Sequence, residues 1–182
     1  MKILIAGPSG IGKSRIKEKL LEKNYGIMIE DFSTKLVSIQ KEYFKDKKFI
    51  DLSESERKLL RDETFKQFRY ENMIIFGHMS YMVLDDGNLR SFELGYPIEY
   101  QDFFDQYILI KSDPEIIKNN RIHDENRERV TNINLIHLEI KIERAYLSYV
   151  TNNNFIEIEY NNKLNQFINK FNQQQYFQDM ND

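Results

Sequence analysis

No cysteine occurs among the 182 residues, which excludes a disulfide framework, a thiolate metal site and a thiol nucleophile. No apolar run approaches the roughly 20 residues of a membrane span. The N-terminal one, Ile3-Leu4-Ile5-Ala6, ends at Gly7, too short for the apolar part of a secretory signal. Basic charge is not in excess either: 26 Lys and Arg stand against 29 Asp and Glu, for a net charge of −3. A domain whose main task is gripping nucleic acid is usually basic, so the balance disfavours a nucleic-acid partner without excluding a local basic groove. These absences predict a cytoplasmic protein with no membrane partner. Histidine is scarce, with three in the chain, so imidazole chemistry has few places to sit.

What is present suits one domain able to bury a core unaided. Hydrophobic residues make up 41% of the chain, and 13 Phe and 11 Tyr are expected to do much of the filling. Short apolar runs at Lys2 to Ala6, Gly26 to Glu30, Met73 to Phe76, Tyr107 to Ile110 and Phe155 to Ile158 read as five strands. Between them lie segments of helical period: Ser14 to Lys23, a stretch through Leu36, Val37 and Ile39 that Ser33 is placed to cap, and Ser53 to about Tyr70. The last of these opens on the capping-box pattern Ser53-x-x-Glu56. Pro114 opens a helix after Ser112-Asp113, a long helix spans about Asn132 to Val150, and another carries Leu164, Phe167, Ile168 and Phe171. Residues 84 to 104 show turn signals without a clean period and are expected to be irregular. Strands alternating with helices predict an α/β fold with a five-stranded parallel sheet covered on both faces.

The first strand runs into Gly7-x-x-x-x-Gly12-Lys13-Ser14, within GPSGIGKS. This is the Walker A pattern, and its physics is specific. Glycines let the backbone curl so that successive N–H groups, here over Gly7, Ser9, Gly10, Ile11, Gly12 and Lys13, turn toward phosphate oxygens. Lys13 reaches the β- and γ-phosphates and the Ser14 hydroxyl binds Mg²⁺. The helix that follows adds the positive end of its dipole. A strand before and a helix after are the context the motif needs. The expected cofactors are ATP and Mg²⁺, and the expected architecture is a three-layer P-loop NTPase sandwich. Too little chain remains for the separate helical lid of a large ring ATPase.

The segment RIHDENRER places Arg121, Arg127 and Arg129 within nine residues, between two predicted helices. Phosphoryl transfer spreads negative charge over the equatorial oxygens of the moving group, and arginine forks closing from a lid suit that need. The alternative is a solvated charged loop in which Arg127 pairs with Asp124 or Glu128. The single domain is expected to run over 1–174, with the lid around 121–131 and a frayed polar tail at 175–182.

With these residues in view, the chain resembles the archaeal-type adenylate kinases and related small P-loop nucleoside monophosphate kinases, from Lys2 to about Asn162. GPSGIGKS is shared by many P-loop families; DENRERVTNINLIHLEIKIERAYLSYV is the more specific likeness. The resemblance implies lid arginines at Arg127 and Arg129, a preceding acid at Asp124 and a helix arginine at Arg144. It also implies a histidine after the third strand, at His78, and an asparagine near the adenine, at Asn161. The implied activity is phosphoryl transfer from ATP·Mg²⁺ to a small-molecule nucleotide, AMP first.

Two positions depart from that pattern. Phe76 stands where the resemblance calls for an aspartate that helps hold the magnesium water shell. Asp31, at the end of the second predicted strand, is the substitute carboxylate; its other role would be to cap the helix after it. LDDGNLRSFELGYPIE lacks the regular Gly- and Pro-rich substrate loop, so the acceptor need not be AMP. His78 and Arg61 are candidate acceptor contacts, against structural roles for each. Two further readings stay open: a nucleotide-binding switch with weakened chemistry, and a kinase acting on polynucleotide ends.

Overall fold

The computed structural model describes residues 1–22, 26–45, 47, 49–85, 88–96, 98–124 and 129–160. Arg127, Asn161, the expected helix around 164–171 and the polar tail lie outside the described residues.

Five strands form a parallel sheet: β1 (Lys2–Ala6), β2 (Met28–Asp31), β3 (Met73–Gly77), β6 (Gln106–Lys111) and β7 (Ile156–Glu159), in the order β2-β3-β1-β6-β7. They fall where the apolar runs predict. β3 is buried throughout and β1 over four of its five residues, as strands covered on both faces must be. Alternation along them divides the core. Ile3, Ile5, Ile74, Phe76, Ile108 and Ile110 face one layer. Leu4, Ala6, Met73, Ile75, Tyr107 and Leu109 face the other.

Helix α1 (Lys13–Leu21) buries Ile16 and Leu20 in the first layer, together with Ile117 of α4 (Pro114–Ile122). The second layer takes Phe65 of α3 (Glu54–Gln67) and a cluster of rings around it, with Phe32 from the start of α2 (Phe32–Tyr43). Helix α5 (Ile133–Val150) serves both, through Ile136 in one and Leu147 and Val150 in the other. Among the described residues no helix is long and apolar enough to cross a membrane.

Three local expectations need adjustment. The Ser53–Glu56 capping box forms, with the Ser53 N–H donating to Glu56 Oε2 at 2.8 Å, but α3 stops at Gln67 rather than Tyr70. Helix α2 begins at Phe32, one residue ahead of the proposed Ser33 cap, and the Asp31 carboxylate makes no capping bond. The stretch expected to be irregular holds most of an antiparallel hairpin, β4 (Ser80–Asp85) with β5 (Asn88–Leu94). A register shift at Val83/Leu84 breaks the even alternation by which a strand is recognised.

The register of β1 and β3 positions the site. Ala6 pairs with Gly77, so the residues that leave the two strands, Gly7 and His78, emerge side by side. This is the carboxyl end of the sheet, where β1 and β3 send their connections in opposite directions and a ligand crevice opens.

Candidate active site

The chain from Gly7 to Gly12 loops between β1 and α1. Gly10 (φ 79°) and Gly12 (φ 97°) lie in the left-handed region, where other residues are strained. Neither has room for a side chain: a Cβ would stand 2.8 Å from Arg121 Cγ at Gly10 and 2.8 Å from the Tyr160 ring at Gly12. Among the described residues none is a partner of the Gly10 or Gly12 N–H. The first amides of α1 add the donors that every helix start leaves unpaired. Together these groups form a cradle suited to phosphate; the Gly7, Ser9 and Ile11 N–H groups, expected to join it, are instead taken by Glu143, Glu139 and Pro8 O.

Two buried acids hold the loop from behind. Glu143 Oε1 accepts the Gly7 N–H at 3.2 Å and the Met79 N–H at 2.8 Å; Oε2 accepts the N–H and the hydroxyl of Ser80 at 2.8 and 3.0 Å. One turn earlier, Glu139 Oε1 accepts the Ser9 N–H at 3.1 Å, while Oε2 pairs with Arg121 at 2.5 Å. Arg121 also donates twice to Ser9 O, at 3.0 and 2.8 Å, and once to Val130 O at 3.0 Å. One helix thus fixes the loop, the start of the hairpin and the base of the expected lid. Burial pushes the Glu143 carboxyl upward; the charge of Lys13 and three hydrogen bonds, from the Met79 N–H and the Ser80 N–H and hydroxyl, oppose that shift.

Lys13 lies inside the mouth of the loop. Its ammonium donates to Gly7 O and to Pro8 O at 3.1 Å, and stands 3.3 Å from His78 Nδ1. Desolvation lowers its pKa to about 8; Glu143 and Glu139 oppose the shift and Arg129 adds to it. Desolvation, reinforced by Lys13 and Arg129, keeps His78 well below the usual imidazole range. A neutral His78 therefore accepts from the lysine. Arg129 closes the ring of groups, its Nε donating to Asp124 at 2.6 Å.

These residues line a cleft of about 1030 Å³. One end is walled by Ile116, Asn120 and Tyr160, beside Gly10 and Gly12; the other holds Asp31, Ser33 and Thr34. The exposed Ser14 hydroxyl opens into it from α1. Asp31 is the register partner of Phe76, so a carboxylate stands across from the position where the resemblance calls for an acid. Lys17 holds that carboxylate at 2.5 Å. Ser14 and Asp31 are hard oxygen donors of the kind Mg²⁺ takes while keeping most of its water. The donor set fits the ion.

The structure thus brings Lys13, Ser14, Asp31, His78 and Arg129 together around one cleft. Three other residues lie apart from its reacting end. Arg121 sits behind the loop with its donors committed to protein oxygens, which makes it a support for the phosphate cradle. Arg61 donates to Leu94 O at 3.0 Å and braces the hairpin, away from the acceptor position expected for it. Arg144 is exposed and pairs with Glu157 at 2.6 Å. Sequence reasoning missed Glu139, Glu143 and Tyr160. The first two carried a signal: Ile136, Glu139, Glu143, Leu147 and Val150 follow helical spacing and are all buried, so two acids occupy the apolar stripe.

No family model and no curated protein sequence matches the chain. Solved structures do. Shikimate kinase from Bacteroides thetaiotaomicron superposes with a TM-score of 0.63 at 10% identity, covering 97% of this chain and 98% of that one. Shikimate kinase from Acinetobacter baumannii, in complex with shikimate, gives 0.58 at 15% identity over 97% and 93%. A gluconokinase from Sinorhizobium meliloti 1021 gives 0.50 at 13% identity over 97% and 96%. At such identities the likeness shows the fold: that of small P-loop kinases.

Proposed function

We propose that this protein transfers the γ-phosphoryl group of ATP to a small acceptor. The observation that carries the reading is the convergence of Lys13, His78 and Arg129 on the mouth of the glycine loop, inside one cleft. The loop amides hold the triphosphate, and Lys13 exchanges its carbonyl partners for β- and γ-phosphate oxygens. Ser14 and Asp31 would hold Mg²⁺, which when bound neutralises charge on those phosphates. Arg129 offers a permanent cation to the transferring group from the lid side, and Tyr160 with Ile116 forms an apolar wall for the base. No covalent enzyme intermediate is needed, because positioning and charge neutralisation suffice for this chemistry.

The resemblance read from the sequence makes a nucleoside monophosphate, AMP first, the acceptor to try. Purified protein with ATP and Mg²⁺ should release ADP faster when the right acceptor is added, and Lys13→Ala should abolish that release. Acceptor-independent ADP formation would favour the second reading, a nucleotide switch. The observation that favours the switch is Phe76, buried in the core at a position where an acid is expected. An oligonucleotide arm, read by its salt dependence, separates polynucleotide ends from small acceptors.

A further inference from the structure

The cleft has a smaller neighbour. A recess of about 230 Å³ opens between the hairpin, the Arg129–Val130 segment and α5, and shares Ser9, His78 and Arg129 with the main cleft. The shared residues set the recess next to the end of the cleft where the Lys13 ammonium stands beside His78, the end at which the γ-phosphate is expected. A phosphoryl acceptor must bring its attacking oxygen to about 3–3.5 Å from the phosphorus. The recess reaches toward that end through His78 and Arg129.

Its walls have a definite chemistry. Tyr81, Met82 and Val130 line it. The Tyr81 hydroxyl is taken by Glu93 at 2.6 Å, and Arg121 and Glu139 neutralise each other. The Ser80 hydroxyl, also in the lining, is given to Glu143 at 3.0 Å, which leaves mainly apolar and aromatic surface beside Ser9, His78 and Arg129. The volume equals that of about eight waters in the liquid and lies below the roughly 300 Å³ at which ordinary ligand pockets begin. One ring with its substituents fits. A base, a ribose and a phosphate together do not. Neither α3 arginine lines the recess: Arg57 pairs with Glu93 and Arg61 donates to Leu94 O.

We infer that this recess is the acceptor site and that the acceptor is a hydroxyl-bearing compound of about one ring's size with an apolar face, not a nucleoside monophosphate. The inference rests on the kinase reading above and puts a small alcohol in the place of AMP as its acceptor. The hydroxyl oxygen bonds to the γ-phosphorus as the bond from phosphorus to the β,γ-bridging oxygen breaks. ADP leaves with that electron pair, and the hydroxyl proton is released to solvent. His78, kept neutral, and Arg129 orient the hydroxyl against the phosphate.

The test offers ATP·Mg²⁺ with two acceptor panels, single-ring polyols, hydroxy acids and amino alcohols in one, nucleoside monophosphates in the other. ADP release and the mass of the phosphorylated product are read. Met82→Trp, which fills the recess, is run beside wild type, with Val130→Phe on the facing wall as a second variant in case the first fails to fold. The expected result is a phosphorylated small alcohol, with acceptor kcat/KM reduced about tenfold or more in either filled variant and affinity for a fluorescent ATP analogue within about twofold of wild type. A nucleoside monophosphate phosphorylated as well by the filled variants as by wild type would overturn the inference and leave the kinase reading standing. So would a small alcohol whose turnover ignores both substitutions, placing it at the Asp31–Thr34 end of the cleft. Absence of acceptor-dependent ADP in both panels would overturn the kinase reading, and this one with it.

Discussion

Arg121 and Glu139 form an ion pair at 2.5 Å with side chains 1% and 4% exposed, and both hold the same loop residue: Glu139 takes the Ser9 N–H and Arg121 the Ser9 carbonyl. Removing one member of a buried pair leaves a desolvated charge and costs about 3–5 kcal/mol, whereas replacing both with apolar residues of similar volume is often neutral. Glu139→Leu should therefore lower the urea midpoint strongly. Arg121→Met with Glu139→Leu should recover most of that loss. The loop bonds stay broken in the double variant, so its ATP affinity should remain well below wild type. Wild-type affinity in a refolded double variant would show that the pair stabilises the fold without shaping the phosphate cradle.

The lowered pKa of Lys13 sets a pH dependence for nucleotide binding. In the free protein the ammonium titrates near pH 8, because desolvation outweighs the acids behind it. A bound triphosphate favours the charged form and raises that pKa. Binding then takes up a proton above about pH 8 and none well below it. ATP affinity should be flat below that point and fall above it, by up to about tenfold per pH unit. Titrations of a fluorescent ATP analogue in matched ionic strength would check the sign. Affinity that rises with pH would mean the lysine does not meet the phosphates.

The parallel sheet and the phosphate loop were legible because their determinants are local. Each is a contiguous run of apolar residues or a fixed spacing of glycines, lysine and serine. The support behind the loop was less so. Glu143 and Glu139 sit 136 and 130 residues beyond the Gly7 and Ser9 N–H groups they satisfy, and only a reading of α5 as a stripe with two misplaced acids would have exposed them. The hairpin was hidden by its register shift at Val83/Leu84. Phe76 is legible as a missing acid, but only the pairing of β2 with β3 shows that Asp31 stands across from it.

Gly95 closes the hairpin against the site, its N–H donating to Met79 O at 2.9 Å. A Cβ there would lie 2.3 Å from the His78 carbonyl oxygen, an atom of the backbone that cannot rotate aside. Gly95→Ala must push the hairpin away from the end of β3. Overpacking of this kind costs about 1–3 kcal/mol, and the displacement should move His78, lowering acceptor turnover more than ATP affinity. A thermal midpoint and kcat/KM both at wild-type values would mean that the hairpin does not pack on His78 as described.

Asp31 carries the last prediction, since it is the carboxylate that faces the cleft across from Phe76 and is held by Lys17. Asp31→Asn keeps the size of the side chain and removes the charge that Mg²⁺ and its waters require. Loss of an outer contact to a metal commonly costs about 10–100-fold in metal affinity or activity. Turnover at limiting Mg²⁺ should fall by that order and recover in part at high Mg²⁺. ATP affinity measured with EDTA present should change little, because the loop amides and Lys13 bind the phosphates without the metal. Lys17→Met separates the two roles open to the lysine. If the lysine only neutralises the carboxylate, its removal leaves magnesium-dependent turnover intact or raised. If the ion pair is what aims Asp31 into the cleft, Lys17→Met should reproduce the loss seen in Asp31→Asn. An unchanged magnesium dependence in Asp31→Asn would take this residue out of the site and leave the position opposite Phe76 without a chemical role.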